Sequence, residues 1–365
     1  MGKLDAFITA VNALFARRDL FLSIRDDQLV LNLNRLDPKL LPQLPRREFP
    51  QLTQNLVSAI ENIHSYGLRA GQRLYVDFNA ERKVSDRKFK EVQREKHFYA
   101  SGKTFLKDNN ALPYSFVNRI LTGDAREILT RLPDNCIDLM FTSPPYNFGL
   151  EYARNTDEQH WEQYFRELFD VLTEVIRVLK YGGRLIINIQ PLFSDYIPSH
   201  HLVSSWLMEQ SLIWKGEILW EKHNYNCKYT AWGSWRSPSN PYLKYTWEFI
   251  EVFCKGEMRK KGDRKNIDIS ADEFKDWVVA RWSIPPERNM NKWDHPAMFP
   301  EALVERVLKL FSYQGDIILD PFNGVGTTCA VASRLDRTFL GIDISNEYCS
   351  TARKRIEDTG KKGYG

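Results

Sequence analysis

Residues 316–343 read DIILDPFNGVGTTCAVASRLDRTFLGID and decide the fold. The stretch begins with an apolar run that predicts a buried strand; a glycine-containing loop, a helix of small residues and a second apolar run follow. A strand, a helix and a strand in this order form a crossover unit of a parallel sheet. Ligands bind such sheets at the carboxyl ends of the strands, where Asp320 and Asp343 fall.

The same alternation of short apolar runs and amphipathic segments extends outward from this stretch. It predicts an α/β domain in two halves, residues 117–190 and 295–358, separated by an irregular, aromatic and basic insert at 191–292. Helices are predicted at 4–18, 49–68, 123–135, 161–183, 300–312, 327–335 and at the C-terminus, and strands at 137–143, 184–190, 316–322 and 338–345. The first hundred residues are predicted to be helical and carry no catalytic signature.

The composition is typical of an ordinary folded protein. The 365 residues are 43% hydrophobic and 27% charged, which excludes collagen, a disordered tail protein and a disulfide miniprotein. The net charge of +4 says little about partners, and no apolar run approaches the roughly 18–20 residues of a membrane span. Five widely spaced cysteines without a CxxC pair predict free thiols, a reducing compartment and no zinc site.

The loop at 320–328, DPFNGVGTT, has the features of a nucleotide-binding turn. Gly324 and Gly326 let the backbone approach a ligand, and the N-terminus of a helix follows them. Asp343 comes 17 residues after Gly326, near the spacing at which a carboxylate binds a ribose hydroxyl. The loop lacks the GK[ST] of a triphosphate site, and Cys329 replaces the third glycine of a dinucleotide fingerprint. A ligand containing adenosine but no pyrophosphate fits better, the alternative being a plain tight turn.

A second motif, Thr142-Ser143-Pro144-Pro145-Tyr146, ends a buried strand at the same predicted sheet edge. The prolines lack N–H groups, so the turn is stiff and presents carbonyls. The Ser143 hydroxyl and the Pro144 carbonyl are two acceptors suited to a planar NH2 group, and Tyr146 adds a face for stacking a base. Without the glycine loop, a structural Pro-Pro turn would be the better interpretation.

Together the two motifs resemble those of the amino-methylating DNA methyltransferases that use S-adenosylmethionine. That family has a catalytic motif [DNS]-P-P-[YFW] and a cofactor motif F-x-G-x-G, matched here by residues 143–146 and 322–326. The catalytic motif comes first in the chain, as in the permuted β group of the family. The resemblance covers roughly residues 117–358.

The resemblance implies a Rossmann-like methyltransferase domain with a mostly parallel sheet. It divides the chain into a helical accessory region at 1–110, a catalytic half at 111–190, an insert with DNA-contacting and target-recognition elements at 191–292, and a cofactor-binding half at 293–365. It implies catalytic roles for Ser143, Pro144, Pro145 and Tyr146. Its implied S-adenosylmethionine ligands are Asp124, Thr142, Pro296, Phe299, Asp320, Pro321, Phe322, Gly324, Gly326, Thr327 and Asp343.

Ser143 bears on which base is methylated. In this family S-P-P-Y usually accompanies methylation of cytosine N4 and D-P-P-Y methylation of adenine N6, although either side chain can accept a hydrogen bond from an amino group. A cytosine-C5 enzyme is excluded because no Pro-Cys dipeptide occurs in the chain. Three alternatives to cytosine N4 stay open: adenine N6, a non-catalytic DNA-binding protein, and a methyltransferase for protein or RNA amino groups. The intact motifs argue against the second, and the permuted order with the aromatic, basic insert argues against the third.

The insert is the predicted DNA-contacting region, since it combines stacking faces with hydrogen-bond donors. The candidate residues are Trp232, Trp235, Arg236, Ser237, Asn240, Lys244, Arg259, Lys260 and Lys261. Trp220, Trp247 and Phe249 alternate as core residues of a strand would. Double-stranded DNA is the expected partner in a prokaryotic cytoplasm, with a cognate restriction endonuclease and a second copy of the chain as further candidates. No membrane association is expected, and no histidine stands at metal-ligand spacing from another ligand.

Overall fold

The computed structural model describes residues 2–15, 21–25, 28–32, 36–65, 68–69, 72–73, 89, 93, 105–145, 151–152, 155–156, 161–191, 196–223, 231–287 and 298–361. The chain forms two compact units, Met1–Glu91 and Val92–Gly365.

The first unit is built from two helices and short strands. Its elements are α1 (Lys3–Phe15), β1 (Leu22–Arg25), β2 (Gln28–Leu31), a 3-10 helix (Pro38–Gln43), α2 (Pro50–Glu61), β3 (His64–Ser65), β4 (Leu68–Arg69) and β5 (Gln72–Arg73). Strands β1 and β2 pair antiparallel. The core contains Phe7, Val11 and Ile60, and buried Asn12 exchanges two hydrogen bonds with the backbone of Leu22. Helix α2 ends at Glu61, earlier than the helix predicted at 49–68, and the strands of this unit were not predicted.

The second unit contains the remaining helices and strands. The helices are α3 (Ala125–Leu129), α4 (Trp161–Val178), α5 (Ser199–Glu209), α6 (Ala271–Trp277), α7 (Glu301–Phe311), α8 (Thr327–Arg334) and α9 (Asn346–Lys361). The strands are β6 (Arg119–Thr122), β7 (Ile137–Thr142), β8 (Glu151–Tyr152), β9 (Asn155–Thr156), β10 (Leu179–Ile189), β11 (Ile213–Glu221), β12 (Trp247–Cys254), β13 (Arg281–Ser283), β14 (Ile317–Asp320) and β15 (Thr338–Asp343). Short 3-10 helices occur at Tyr114–Phe116 and Arg264–Asn266.

Eight of these strands form one mixed, mostly parallel sheet in the order β13-β11-β12-β10-β7-β14-β15-β6. Strands β10, β7, β14, β15 and β6 run parallel, and β12 is antiparallel to both of its neighbours. The carboxyl ends of β6, β7, β10, β14 and β15 therefore lie at one edge, called the catalytic edge below. Because β12 runs the other way, the chain between β11 and β12 also crosses this edge.

The sheet has a hydrophobic core on each face. Helices α4 and α5 contribute Leu172 and Val203 to one core, and α7 and α8 contribute Val304 and Val331 to the other. Every residue of β7 is buried. Because helices cover both faces of the sheet, side chains on both sides of this strand are buried, and its sequence is almost continuously apolar.

Three details of the sequence prediction are wrong. The stretch 191–292 is not irregular, because it supplies β11, β12 and β13 to the sheet together with α5 and α6. The long helix α4 ends at Val178, and the LKYGG that follows it already belongs to β10. Helix α3 has only five residues. The core position of Trp220 is confirmed, since only 2% of its surface is exposed.

The described cysteines are free thiols, as predicted. Cys136, Cys254, Cys329 and Cys349 are buried and unpaired, and burial raises the pKa of each. Cys227 lies outside the described residues. Among the helices that the structure describes, none combines the length and the apolar character needed to cross a bilayer.

Candidate active site

The catalytic edge brings the two sequence motifs together. Thr142 at the end of β7 donates a hydrogen bond from Oγ1 to Oδ1 of Asp320 at the end of β14, 2.7 Å away. The two strands are adjacent and parallel, and both residues are buried. The turn that begins with Ser143 and the loop that begins with Pro321 therefore leave the sheet side by side.

The glycine loop after β14 is shaped by close packing. Gly324 and Gly326 have φ values of 48° and 79°, in the left-handed region that favours glycine. A Cβ on Gly326 would lie 2.7 Å from the Cβ of Ala352 in α9. The Asn323 amide N–H donates to the Ile342 carbonyl at 2.9 Å, which ties the loop to β15. Gly326 directly precedes α8, so the loop passes over the N-terminus of that helix.

Asp343, the last residue of β15, is hydrogen-bonded to this loop. Its Oδ2 accepts a hydrogen bond from the Gly324 amide at 2.7 Å, and its Oδ1 accepts one from the Ser345 amide at 2.9 Å. Each carboxylate oxygen has a second lone pair, so the group can still accept hydroxyl donors. The Asp343 carbonyl accepts from Gly123, which places the loop after β6 beside the same residue.

Asp124 follows Gly123 and is the N-cap of α3. Its Oδ1 accepts from the Arg126 amide at 2.8 Å, and the Arg126 guanidinium forms an ion pair with Oδ2 at 2.6 Å. This hydrogen bonding to Arg126 lowers the pKa of Asp124. The carboxylate lies at the catalytic edge, and both of its oxygens already accept hydrogen bonds from Arg126.

Two carboxylates lie at the edge, Asp320 buried and Asp343 half-buried. Burial raises the pKa of Asp320 to about 6, against the opposing effect of the hydrogen bond from Thr142. Burial also raises the pKa of Asp343. Carboxylate oxygens at the ends of β14 and β15, in a poorly solvated environment, favour a ligand rich in hydroxyl donors.

The Ser-Pro-Pro turn is held from both sides of the sheet. Asn188 at the end of β10 directs Nδ2 toward Ser143 Oγ at 3.4 Å, and the Tyr164 hydroxyl donates to the Pro145 carbonyl at 2.7 Å. Pro144 is buried, whereas Ser143 and Pro145 are half-buried. The turn thus has partners from α4 and β10. Tyr146 lies outside the described residues.

The other predicted cofactor residues differ in where their side chains lie. The Phe299 ring packs 5.2 Å from the ring of Phe141 on β7, and half-buried Phe322 packs against the core on the other face. Pro321, the first residue of the loop, is buried. The Thr327 hydroxyl accepts a hydrogen bond from buried Arg355, which forms an ion pair with Glu301 on α7. The Thr327 side chain therefore contacts other residues of the protein interior. Pro296 lies outside the described residues.

The chain between β11 and β12 presents aromatic side chains at the catalytic edge. Trp232 and Trp235 pack edge to face at 5.7 Å and are 46% and 68% exposed. Their turn is ordered by Ser234, whose hydroxyl donates to the Ser237 carbonyl and accepts from the Asn240 amide, both at 2.8 Å. The Lys244 ammonium lies 5.4 Å from the centre of the Trp232 ring. Arg236, Ser237 and Asn240 are exposed in the same turn.

The structure does not bring the basic run at 259–261 to this edge. The basic run follows β12. The last residue of β12, Cys254, pairs with Arg184 of the antiparallel strand β10, far from the carboxyl end of β10. The Lys260 ammonium forms ion pairs with Asp138 at 3.0 Å and Asp316 at 3.2 Å. It therefore neutralises carboxylates at the amino-terminal ends of β7 and β14, an arrangement that argues against the predicted DNA contact.

A histidine with two carboxylates lies elsewhere on the sheet. His200 Nε2 is 3.0 Å from Glu251 Oε1 and 3.4 Å from Glu217 Oε2. Burial opposes the charged imidazole, but hydrogen bonds and the charges of Glu251 and Glu217 raise the pKa of His200 above its usual value. Glu217 and Glu251 are cross-strand neighbours, so a protonated His200 between them accounts for the arrangement as an ion-pair cluster.

Sequence reasoning missed the polar residues beneath the Ser-Pro-Pro turn. Asn188 is 1% exposed and Glu248 3% exposed, and they share a hydrogen bond of 2.5 Å between Nδ2 and Oε2. The Lys222 ammonium pairs with the other oxygen of Glu248. The signal in the sequence is slight: Asn188 interrupts the apolar run LIINI, and Glu248 stands between Trp247 and Phe249.

Comparison with known proteins gives the class of this site. Residues 137–354, more than half of the chain, match the profile of the N6/N4 DNA methylase family. The chain is 29% identical over 259 residues to the type II methyltransferase M.BglII of Bacillus subtilis, covering 67% of this chain and 71% of that protein. It is 30% identical over 242 residues to M.HpaI of Haemophilus parainfluenzae, covering 66% and 74%. The chain belongs to the N6/N4 DNA methylase family.

Solved structures agree with this assignment. The chain resembles TTHA0409 of Thermus thermophilus, described as a candidate DNA modification methylase and crystallised with S-adenosyl-L-methionine. The two are 28% identical with a TM-score of 0.53, over 66% of this chain and 95% of that one. The Rossmann-like fold predicted from the sequence is confirmed, and the cofactor is S-adenosyl-L-methionine.

The residues at the catalytic edge fit this cofactor. Buried Asn323 has an Oδ1 without a hydrogen-bond partner among the described residues, at the point where the glycine loop crosses β15. A Cβ on the neighbouring Gly341 would lie 2.5 Å from that oxygen, so only glycine leaves room there. Acceptors on Asn323 and Asp343, with a close-packed backbone between them, suit a nucleoside with ribose hydroxyls and an amino group.

Proposed function

We propose that this DNA methylase transfers the methyl group to the exocyclic N4 of cytosine and serves as the modification enzyme of a restriction-modification system. The observation that carries the proposal is that a serine, Ser143, is the first residue of the catalytic motif, as usually accompanies methylation of cytosine N4. This serine follows Thr142, which is hydrogen-bonded to Asp320 of the cofactor loop, so its hydroxyl and the Pro144 carbonyl lie beside the predicted cofactor site.

The proposed chemistry needs no covalent enzyme intermediate. S-adenosylmethionine supplies an electrophilic methyl group on a sulfonium sulfur, which keeps the electron pair of the broken S–C bond. Ser143 Oγ and the Pro144 carbonyl accept hydrogen bonds from the target amino group and direct its lone pair out of the plane of the ring. That lone pair forms the new N–C bond, and the methylated nitrogen then releases its extra proton to solvent. Positioning supplies much of the rate.

The target base has to leave the helix to reach this edge. Flipping costs a few kcal/mol of unstacking, and an aromatic face beside the pocket recovers part of it. Tyr146, next to Pro145 in the sequence, is the proposed stacking partner. Asp124, Phe299, Phe322, Gly324, Gly326 and Asp343 are the proposed cofactor contacts.

The aromatic turn between β11 and β12 is the proposed DNA interface. Trp232 and Trp235 are exposed, their turn is internally hydrogen-bonded, and Lys244 adds positive charge at the same place. Exposed aromatic faces with neighbouring cations suit unstacked bases and phosphates. Duplex DNA is thus the expected partner, with the cognate endonuclease reading the same sequence.

Comparing methyl acceptors tests the proposed substrate class. Labelled methyl transfer from S-adenosylmethionine to duplex DNA, RNA and protein should give a signal with DNA alone. Because a modification enzyme acts only at its own sequence, the DNA should be a pool of mixed-sequence duplexes. Transfer to RNA or protein without transfer to DNA would contradict the proposal.

A further inference from the structure

Glu248, the second residue of β12, is a carboxylate buried at the catalytic edge. Only 3% of its surface is exposed. Its Oε2 lies 2.5 Å from Asn188 Nδ2, its Oε1 lies 3.4 Å from Gln190 Nε2, and the Lys222 ammonium pairs with Oε1. A buried charge of this kind is costly unless hydrogen bonds and a counter-ion compensate it, so each of these partners has a defined place.

Glu248 determines how the side chain of Asn188 is oriented. An ionised carboxylate only accepts hydrogen bonds, so the NH2 group of Asn188 has to face it. The same NH2 group has a second hydrogen and lies 3.4 Å from Ser143 Oγ. In this orientation Asn188 donates to Ser143, and the opposite amide orientation would place an oxygen against the Glu248 carboxylate.

The result is a directed chain of hydrogen bonds from Lys222 through Glu248 and Asn188 to Ser143. The three supporting residues are contributed by the end of β10, the start of β12 and the chain just after β11. In the Asn188 bond, Ser143 Oγ is the acceptor, so the Ser143 hydroxyl hydrogen points elsewhere. A hydroxyl oxygen has two lone pairs, so it can accept from more than one donor.

We propose that Glu248 is a positioning residue for methyl transfer, acting through Asn188 to hold Ser143 Oγ as an acceptor for the target amino group. The inference rests on the proposed role of Ser143. Glu248 itself need not touch the base or the cofactor. Its contribution is to fix the amide of Asn188, so its loss should slow the transfer step without weakening cofactor binding.

The test is the single-turnover rate of methyl transfer to duplex DNA for Glu248→Gln. This variant keeps the shape but can present its own NH2 to Asn188, so both amides can rotate to the opposite orientation. We expect the rate to fall about 10- to 100-fold, with the Kd values for S-adenosylmethionine and DNA within about twofold. Glu251→Gln is the matched control, because it removes another buried carboxylate of β12 that contacts His200 and Trp214. Its rate should stay within about twofold of the parent protein.

A second variant separates positioning from loss of the fold. Glu248→Gln leaves the Lys222 charge without its carboxylate, whereas Glu248→Gln combined with Lys222→Gln removes both charges. The double variant should show the same loss of rate. A rate within twofold of the parent in either variant, or a loss that only parallels a lower Tm, would overturn the proposal.

A double-mutant cycle with Ser143→Ala tests the proposed path. If Glu248 acts through Ser143, Glu248→Gln should slow the Ser143→Ala protein less than about threefold further. A full additional loss would overturn the path while leaving the function of Ser143 intact. If Ser143→Ala itself does not slow transfer, the proposed function fails and the positioning role fails with it. The two failures are therefore distinguishable.

Discussion

Thr142 and Asp320 are 178 residues apart in the chain, and the hydrogen bond between them joins β7 to β14 at 2.7 Å. Thr142 directly precedes the Ser-Pro-Pro turn, and Asp320 directly precedes the cofactor loop. The bond is fully buried, so water does not compete for it. It ties together the two loops that carry the proposed catalytic and cofactor-binding residues.

Thr142→Val should loosen this junction. Valine keeps the shape but leaves Asp320 Oδ1 without its side-chain donor, which should cost about 1–3 kcal/mol of unfolding free energy. Methyl transfer should slow as well. Thr173→Val is the control, because that hydroxyl donates to the Phe169 carbonyl on the exposed side of α4. Denaturant unfolding and single-turnover rates test both variants, and equal stability of the two would contradict the role given to Thr142.

Asp320→Asn should change how stability depends on pH. The native carboxyl has a pKa of about 6 against an ordinary value of 3.8, so it holds its proton longer in the native state than in the unfolded state. Its contribution to stability therefore falls as pH rises from about 4 to about 6 and stays low above that. Asparagine removes this term while it can still accept the hydrogen bonds of Thr142 and Phe322.

The variant should accordingly gain stability over the parent across this window, by up to about 3 kcal/mol at pH 7. Unfolding free energies of both proteins at pH 4.5, 6 and 7.5 measure the difference. A difference that is constant with pH would mean that Asp320 titrates normally.

Ser143→Ala should separate binding from chemistry. The alanine removes one acceptor for the target amino group but touches none of the described contacts of the glycine loop. The methyl-transfer rate should fall by about 10²–10³, while the Kd for S-adenosylmethionine changes less than about twofold. Ser204→Ala in α5 is the matched control. A Ser143→Ala rate within about twofold of the parent would show that the hydroxyl has no such role.

Two lysines should respond in opposite ways to the same substitution. Lys244→Gln, in the aromatic turn, should weaken DNA binding at all sequences and reduce the salt dependence of log K by about one. Lys260→Gln should leave DNA binding within about twofold but cost roughly 2–4 kcal/mol of stability, because Asp138 and Asp316 lose a buried partner. Titrations at several salt concentrations and thermal unfolding test the pair. A loss of DNA affinity in the Lys260 variant would restore the interface predicted from the sequence.

The sequence is sufficient to predict the elements that carry strong periodicity. The apolar runs of β7, β14 and β15 and the amphipathic helices α4 and α7 lie where the pattern indicates, because both faces of the sheet are covered. Strand β11 was not recognised, since IWKGEILWE mixes buried and charged residues at its end of the sheet. Helix α4 was extended too far, because apolar spacing continues through Leu179 into β10.

Only the parts of the site that are contiguous sequence motifs were predicted. The glycine loop and the Ser-Pro-Pro turn are contiguous in sequence, and the parallel topology places them at one edge. Asn188 and Glu248 are 60 residues apart and meet through the antiparallel pairing of β10 with β12, which the sequence does not reveal. The ion pairs of Lys260 with Asp138 and Asp316 could not be predicted for the same reason, because a basic run does not indicate which edge of the sheet it follows.

Analysis of the methylated nucleoside tests the central claim most directly. The protein should be incubated with labelled S-adenosylmethionine and mixed-sequence duplex DNA, and the DNA then digested to nucleosides and separated. We expect a single labelled product, N4-methyldeoxycytidine. Labelled N6-methyldeoxyadenosine would contradict the interpretation of Ser143 while leaving the transfer mechanism in place.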